Sequence, residues 1–381
     1  MPTDLKRIRT DQVGSLLRPR ALIDAFLKFG RGEISEAELA GEQDRAVNNV
    51  VARQEAAGLE VVTDGEYRRL NWQVSFSRVN GWDQTDRSLE GFVRNPSLVM
   101  KGETPHSRGA DAVESFKMPA DAKLALAENF PLKEYRYLAR VASVPAKAMI
   151  MGPDRVSQMC DIEKSKPHYE TPDAFLADVV KVEQEIVGGL VEAGCPYVQL
   201  DEPSYTGYVD RPTLERIAAR GEDPMVNLNR AIDASNAVVE PYRGKAVFGL
   251  HICRGNRASM WHREGAYDGI AETLFGRLEF DRLLLEYDTE RAGGFGPLRF
   301  VPKGVQVVLG LVTTKRGDLE DVEELLHRID DASRYIDPGQ LALSPQCGFA
   351  SGIAGNAITE DEQWRKLELI GETARRAWGH A

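Results

Sequence analysis

Short apolar runs alternate along this chain with longer stretches in which apolar residues recur every three or four positions. Runs of four to eight apolar residues read as strands buried on both faces, whereas the 3.6-residue period reads as amphipathic helix. The clearest unit begins at Thr171, a cap residue followed by Pro172 at the first helical position. Phe175, Leu176, Val179, Val182, Ile186 and Leu190 then share one helical face, Gly194 ends the helix, and 196–203 (PYVQLDEP) reads as the next strand. Seven further strands are expected at 11–15, 60–66, 147–153, 246–253, 282–288, 305–312 and 341–347. Helical patterns at 36–57, 214–240, 318–335 and 360–378 separate most of them. Eight strands so spaced predict an α/β fold, a (β/α)8 TIM barrel formed as a single domain over residues 1–381. Segment 90–140 carries glycine, proline and charge without clean periodicity, and is expected to be an insertion between the second and third strands, with a small hairpin.

Composition removes several function classes. The net charge of −11, without a dense basic stripe, argues against nucleic acid as a partner. No stretch approaches the ~20 apolar residues of a membrane span. The first fifteen residues lack an apolar signal core, so a cytoplasmic location is expected. Four cysteines (Cys160, Cys195, Cys253, Cys347) scattered over such a chain favour metal or catalytic use over a disulfide framework. Cys160 and Cys195 read as structural.

In a barrel of this kind the active site lies at the C-terminal ends of the strands. The residues expected there are Ser15, Glu66, Asp201, Glu202, His251, Cys253, Glu286, Thr313–Thr314–Lys315 and Cys347. His251 and Cys253 stand two apart on an apparent strand, so their side chains point the same way. Histidine and two cysteines are borderline-soft ligands that suit zinc, and three protein ligands leave a position for substrate. A plainer reading makes the cysteines small buried hydrophobes, His251 a hydrogen-bonded core residue, and the acids caps of the following helices. Arg68, Arg69, Arg254, Arg257 and His262 are candidate contacts for an anionic group or ordinary surface residues, and Trp72 and Trp261 candidate pocket walls or core.

The segments DQVGSLLRP (11–19), VVTDGE (61–66), VQLDEP (198–203), HIC (251–253), LLLEYD (283–288) and LSPQCGFAS (343–351) together resemble the catalytic C-terminal barrel of the cobalamin-independent methionine synthase family, over nearly the whole chain. The resemblance implies a zinc site at His251, Cys253, Glu286 and Cys347, and homocysteine-binding groups at Ser15, Glu66 and Asp201. It implies methyl transfer to homocysteine from a small-molecule donor, a methyl-folate or a methylated corrinoid carrier. The chain departs from the pattern in three ways. The full-length family carries a second, N-terminal barrel for which 381 residues leave no room. Thr313–Thr314–Lys315 stands where the family has a catalytic histidine, and 151–160 lacks the tryptophan associated with folate. The altered donor half keeps a second enzymatic reading open, the addition of coenzyme M thiolate to an epoxide. A non-catalytic zinc- or thiol-binding protein is the reading from another class, and a uroporphyrinogen-type decarboxylase fits the fold without needing the cysteines.

Overall fold

The computed structural model describes residues 4–82, 89, 92–94, 108 and 117–379. A two-residue hairpin pairs β1 (Val79–Asn80) with β2 (Ala125–Leu126). The main sheet is parallel and runs in chain order through β3 (Lys147–Met151), β4 (Tyr197–Asp201), β5 (Val247–Ile252), β6 (Arg282–Glu286), β7 (Gln306–Val312) and β8 (Leu341–Pro345). Every residue of these six strands is buried, as expected for a parallel sheet covered on both faces.

The expected first two strands are present as segments but not as regular ladders. Thr10 makes one parallel bridge to Leu343 at the β8 edge, and Val62 makes one to Ala146 at the β3 edge. The two segments meet through Leu16 N–H donating to Gly65 O at 3.1 Å and Thr63 Oγ1 donating to Gly14 O at 2.7 Å. Local conformation limits the pairing: Gly14, Gly65 and Glu66 have φ of 143°, 69° and 60°, which turns the chain out of the extended region. Side chains supply what the ladder lacks. Asp11 lies fully buried between Lys147 Nζ (2.8 Å) and Arg282 Nη2 (3.1 Å), and accepts from Tyr197 OH (2.9 Å). Burial alone would raise the Asp11 carboxyl, yet the two cations hold it below the ordinary range. The first residues of β3, β4 and β6 thus fasten segment 11–15 to the sheet, in a TIM-barrel-type α/β fold.

Helices cover the outside. Thr171 accepts from Ala174 N and caps the helix Pro172–Glu192, which ends at Gly194 with φ of 81°. Capping boxes start Glu36–Ala56 at Ser35 and Glu360–Trp378 at Thr359. The single helix expected at 214–240 is two, Arg211–Ala219 and Pro224–Val239. Gly221 at φ 70° breaks the first, and Asp223 caps the second ahead of Pro224. Segment 90–140 also needs correction: its end forms the amphipathic helix Phe130–Val141, capped by Asn129 and burying Pro131, Glu134, Tyr135 and Leu138. A buried glutamate in the apolar stripe hid that face. Residues 90–91, 95–107 and 109–116 of the expected insertion lie outside the described residues. Among the described residues no helix is long and apolar enough to cross a membrane.

Candidate active site

Strand register places the chemistry. Asp201, the last residue of β4, stands beside His251 of β5, and Cys253 follows β5 directly. Glu286 ends β6 opposite Gly310 of β7. A side chain at Gly310 would meet the Gln346 Cα at 2.7 Å and Leu285 O at 2.9 Å, so glycine lets the chain leaving β8 cross close to the sheet. Gln346 N–H donates to Val312 O at 2.8 Å, which turns Cys347 into the mouth.

One ligand atom each from His251, Cys253, Glu286 and Cys347 lies within 4.8 Å of the others, and the two sulfurs are 3.5 Å apart. Their bonding is incomplete in a telling way. Both ring nitrogens of His251 and Oε2 of Glu286 are buried without a hydrogen bond among the described residues. Glu286 Oε1 accepts from Arg254 N–H at 3.0 Å, and Cys253 Sγ accepts from Gly255 N–H at 3.2 Å. Buried polar atoms are costly to leave unmade, about 1–3 kcal/mol each. One imidazole nitrogen and one carboxylate oxygen beside the two sulfurs form a four-atom donor set that fits a metal ion. The contact with Cys347 raises the Cys253 thiol, while that contact together with neighbouring His251 lowers Cys347.

Two carboxylates adjoin this cluster. Burial pushes Glu66 up to about 8 against the pull of Arg69, and Asp201 up to about 6 against the pull of His251. Each acid raises or is raised by charges across the mouth: Asp201 acts on Glu66, and Cys347 on Asp201. Glu66 Oε2 has no hydrogen bond, whereas Asp201 Oδ1 accepts from Gln199 Nε2 at 2.7 Å. Ser15 Oγ accepts weakly from Ala350 N–H at 3.4 Å, beside Gly348, where any Cβ would fall 1.9 Å from that oxygen. Glu202 points elsewhere: it accepts from the N–H groups of Asp154, Arg155 and Ser204, a helix-capping role.

Lys315 is buried, and its ammonium donates to Gly255 O (3.1 Å), Asn256 Oδ1 (3.3 Å) and Met260 O (3.3 Å). Asn256 Nδ2 in turn donates to Gly348 O at 2.8 Å. The lysine therefore ties the loop after Cys253 to the loop after Cys347. The sequence places Lys315 among the strand-end residues of the mouth but hides its bridging role, and it hides Asn256 altogether, because their partners lie on other loops. Two of the candidate anion-binding arginines are engaged in other ways. Arg68 pairs with Asp44 and stacks on Tyr137, and Arg254 donates to Gly265 O at 2.8 Å and lies over Tyr267. Arg257 is exposed. Trp261 is half-buried beneath Arg291, and Trp72 packs on the core. Cys195 is buried and donates to Tyr197 O at 3.3 Å, and burial pushes it up to about 12.

Comparison with known proteins places the chain in a family. The family model for the cobalamin-independent synthase catalytic domain matches residues 8–363. The uncharacterized protein YxjG of Bacillus subtilis is 35% identical over 373 residues, covering 97% of this chain and 94% of its own. Methionine synthase of Pyrococcus abyssi is 24% identical, over 91% of this chain and 87% of its own. A solved structure from Listeria monocytogenes, assigned as a candidate vitamin-B12-independent methionine synthase, superposes with a TM-score of 0.75 at 26% identity, covering 99% of this chain and all of that one. This chain belongs to the cobalamin-independent methionine synthase family, whose catalytic-domain model spans nearly all of it.

Proposed function

We propose that the protein is a zinc-dependent methyltransferase that methylates the thiol of homocysteine to give methionine. The observation that carries this reading is the convergence of His251, Cys253, Glu286 and Cys347, with three buried donor atoms unbonded, beside two buried acids. Two sulfurs, an imidazole and a carboxylate are the ligand types zinc prefers. A zinc ion bound there supplies a Lewis-acidic centre at which a substrate thiol is held as thiolate near neutral pH.

The remaining steps fall to the chain's own residues. Glu66 and Asp201 pair with the α-ammonium group of the amino acid, and Ser15 Oγ hydrogen-bonds its polar end. Together they fix the substrate sulfur toward the cysteines. Lys315 places a positive charge near Glu286 and both cysteines and offsets part of their combined negative charge. The Glu286 carboxylate is the hardest donor of the four, and it would be the group to give way to an incoming sulfur. Acids rather than unengaged cations beside the thiol position favour an amino-acid thiol over a sulfonate such as coenzyme M.

The test is methionine formation. Zinc-loaded protein is incubated with homocysteine and either methyltetrahydrofolate or methylcobalamin, and methionine is measured by mass spectrometry. Methionine from one donor is expected. Zinc and homocysteine binding without methionine from either donor would instead support a binding protein.

A further inference from the structure

Arg69 is fully buried between two carboxylates, and it treats them unequally. Its Nε lies 3.0 Å from both oxygens of Glu134, and its Nη2 donates to Glu134 Oε2 at 2.7 Å and to Met149 O at 2.8 Å. Toward Glu66 it presents only Nη1, 3.5 Å from Oε1 and without a hydrogen bond. Glu66 Oε2 also lacks one. Glu134 comes from the helix Phe130–Val141 and is itself buried.

We propose that Glu134 sets the site's preference for a thiol bearing an ammonium group, by holding the Arg69 guanidinium off Glu66. The inference rests on the reading that Glu66 receives that ammonium. A guanidinium and a carboxylate left alone in a buried site form a two-point pair, the strongest arrangement open to them. Such a pair between Arg69 and Glu66 would satisfy Glu66 internally and leave nothing for a cationic substrate. Glu134 competes for the same guanidinium and wins the Nε/Nη2 edge. Glu66 keeps an unbonded oxygen and most of its attraction for a cation, while the nearby positive charge of Arg69 favours its ionised form. Glu134 touches no substrate and is a positioning residue.

The test compares homocysteine with 4-mercaptobutanoate, the same thiol acid without the amine, by calorimetric titration of zinc-loaded protein. Wild type is expected to prefer homocysteine by roughly ten-fold or more, the worth of a charge-assisted hydrogen bond. Glu134→Gln is expected to erase most of that preference while leaving 4-mercaptobutanoate affinity unchanged, since Arg69 then turns its charge to Glu66. The double variant Glu134→Gln/Arg69→Gln, which keeps a buried amide pair but removes the guanidinium, is expected to recover the preference as pH is raised, since Glu66 must then ionise without the pull of Arg69. A purely structural role for Glu134 would lower both affinities together, and an unchanged preference in Glu134→Gln would overturn the proposal. Should the single variant not fold, loss of preference in the double variant at raised pH overturns it equally. If wild type itself shows no preference, the ammonium-binding role of Glu66 fails instead.

Discussion

The sulfur atoms of Cys253 and Cys347, from positions 94 residues apart, stand 3.5 Å from each other with His251 and Glu286 around them. Two loops leaving different strands would not meet so closely by packing alone. Gly310 permits the approach, and the Lys315–Asn256–Gly348 bridge secures it. Each cysteine is a soft anionic donor that serine does not replace. Purified protein is expected to carry about one zinc per chain, and Cys253→Ser and Cys347→Ser to lose it. Metal analysis checks this, and full occupancy in both variants would remove the assigned site.

Lys315 joins the two cysteine loops, so Lys315→Met should weaken the hold on metal without removing a ligand. Zinc is expected to transfer to a chelator at least several-fold faster than from wild type, with the fold retained by circular dichroism. Removing a buried hydrogen-bonding partner also leaves unpaired acceptors at about 1–3 kcal/mol each, so the melting temperature should fall. Wild-type zinc retention would reduce Lys315 to an ordinary loop anchor.

Glu66→Gln and Asp201→Asn each delete a negative partner for an ammonium group. At about 1.5–3 kcal/mol for a charge-assisted hydrogen bond, homocysteine binding should weaken roughly ten- to a hundred-fold in each. Zinc content should stay at the wild-type level, because neither residue belongs to the four-residue donor cluster. Coenzyme M binding should be unchanged or tighter. Tighter coenzyme M binding with no loss of homocysteine affinity would transfer the assignment to the sulfonate thiol.

What the sequence made legible, and what it hid, follows from where charge is buried. Strands β3 to β8 announced themselves as short, mainly apolar runs, and the residues at or next to their ends include Asp201, His251 and Glu286, with Cys253 and Cys347 just beyond. That these candidate residues gather at the strand ends was therefore readable by position. The first two segments also read as strands, yet left-handed turns at Gly65 and Glu66 and the wide φ of Gly14 cut their pairing to single bridges. The burial of Arg69 and Glu134 and the bridging partners of Lys315 were hidden for one reason. A charged side chain ordinarily marks solvent, and nothing local distinguishes one whose partner lies on a distant element. Glu134 pairs with a residue 65 positions away, and Lys315 with a loop 55 to 60 positions away.

The pH dependence of thiol selection has a definite sign. Glu66 is pushed up to about 8, so in thiol-free protein it is largely protonated below that pH. An ammonium group binds the carboxylate form, and protons must leave for it to do so. Homocysteine affinity relative to 4-mercaptobutanoate should therefore rise from about pH 6 to about pH 8, and fall again at higher pH as the amine loses its own proton. Titrations across that range check it, with Glu66→Gln expected to flatten the curve. A flat wild-type ratio would mean that Glu66 does not meet the amine.

X-ray absorption at the zinc edge, recorded before and after homocysteine is added, tests the central claim most directly. The account predicts two sulfur neighbours in the thiol-free protein and three with homocysteine bound, a light donor, assigned to Glu286, being lost as sulfur is gained. An unchanged sulfur count under saturating homocysteine would contradict it.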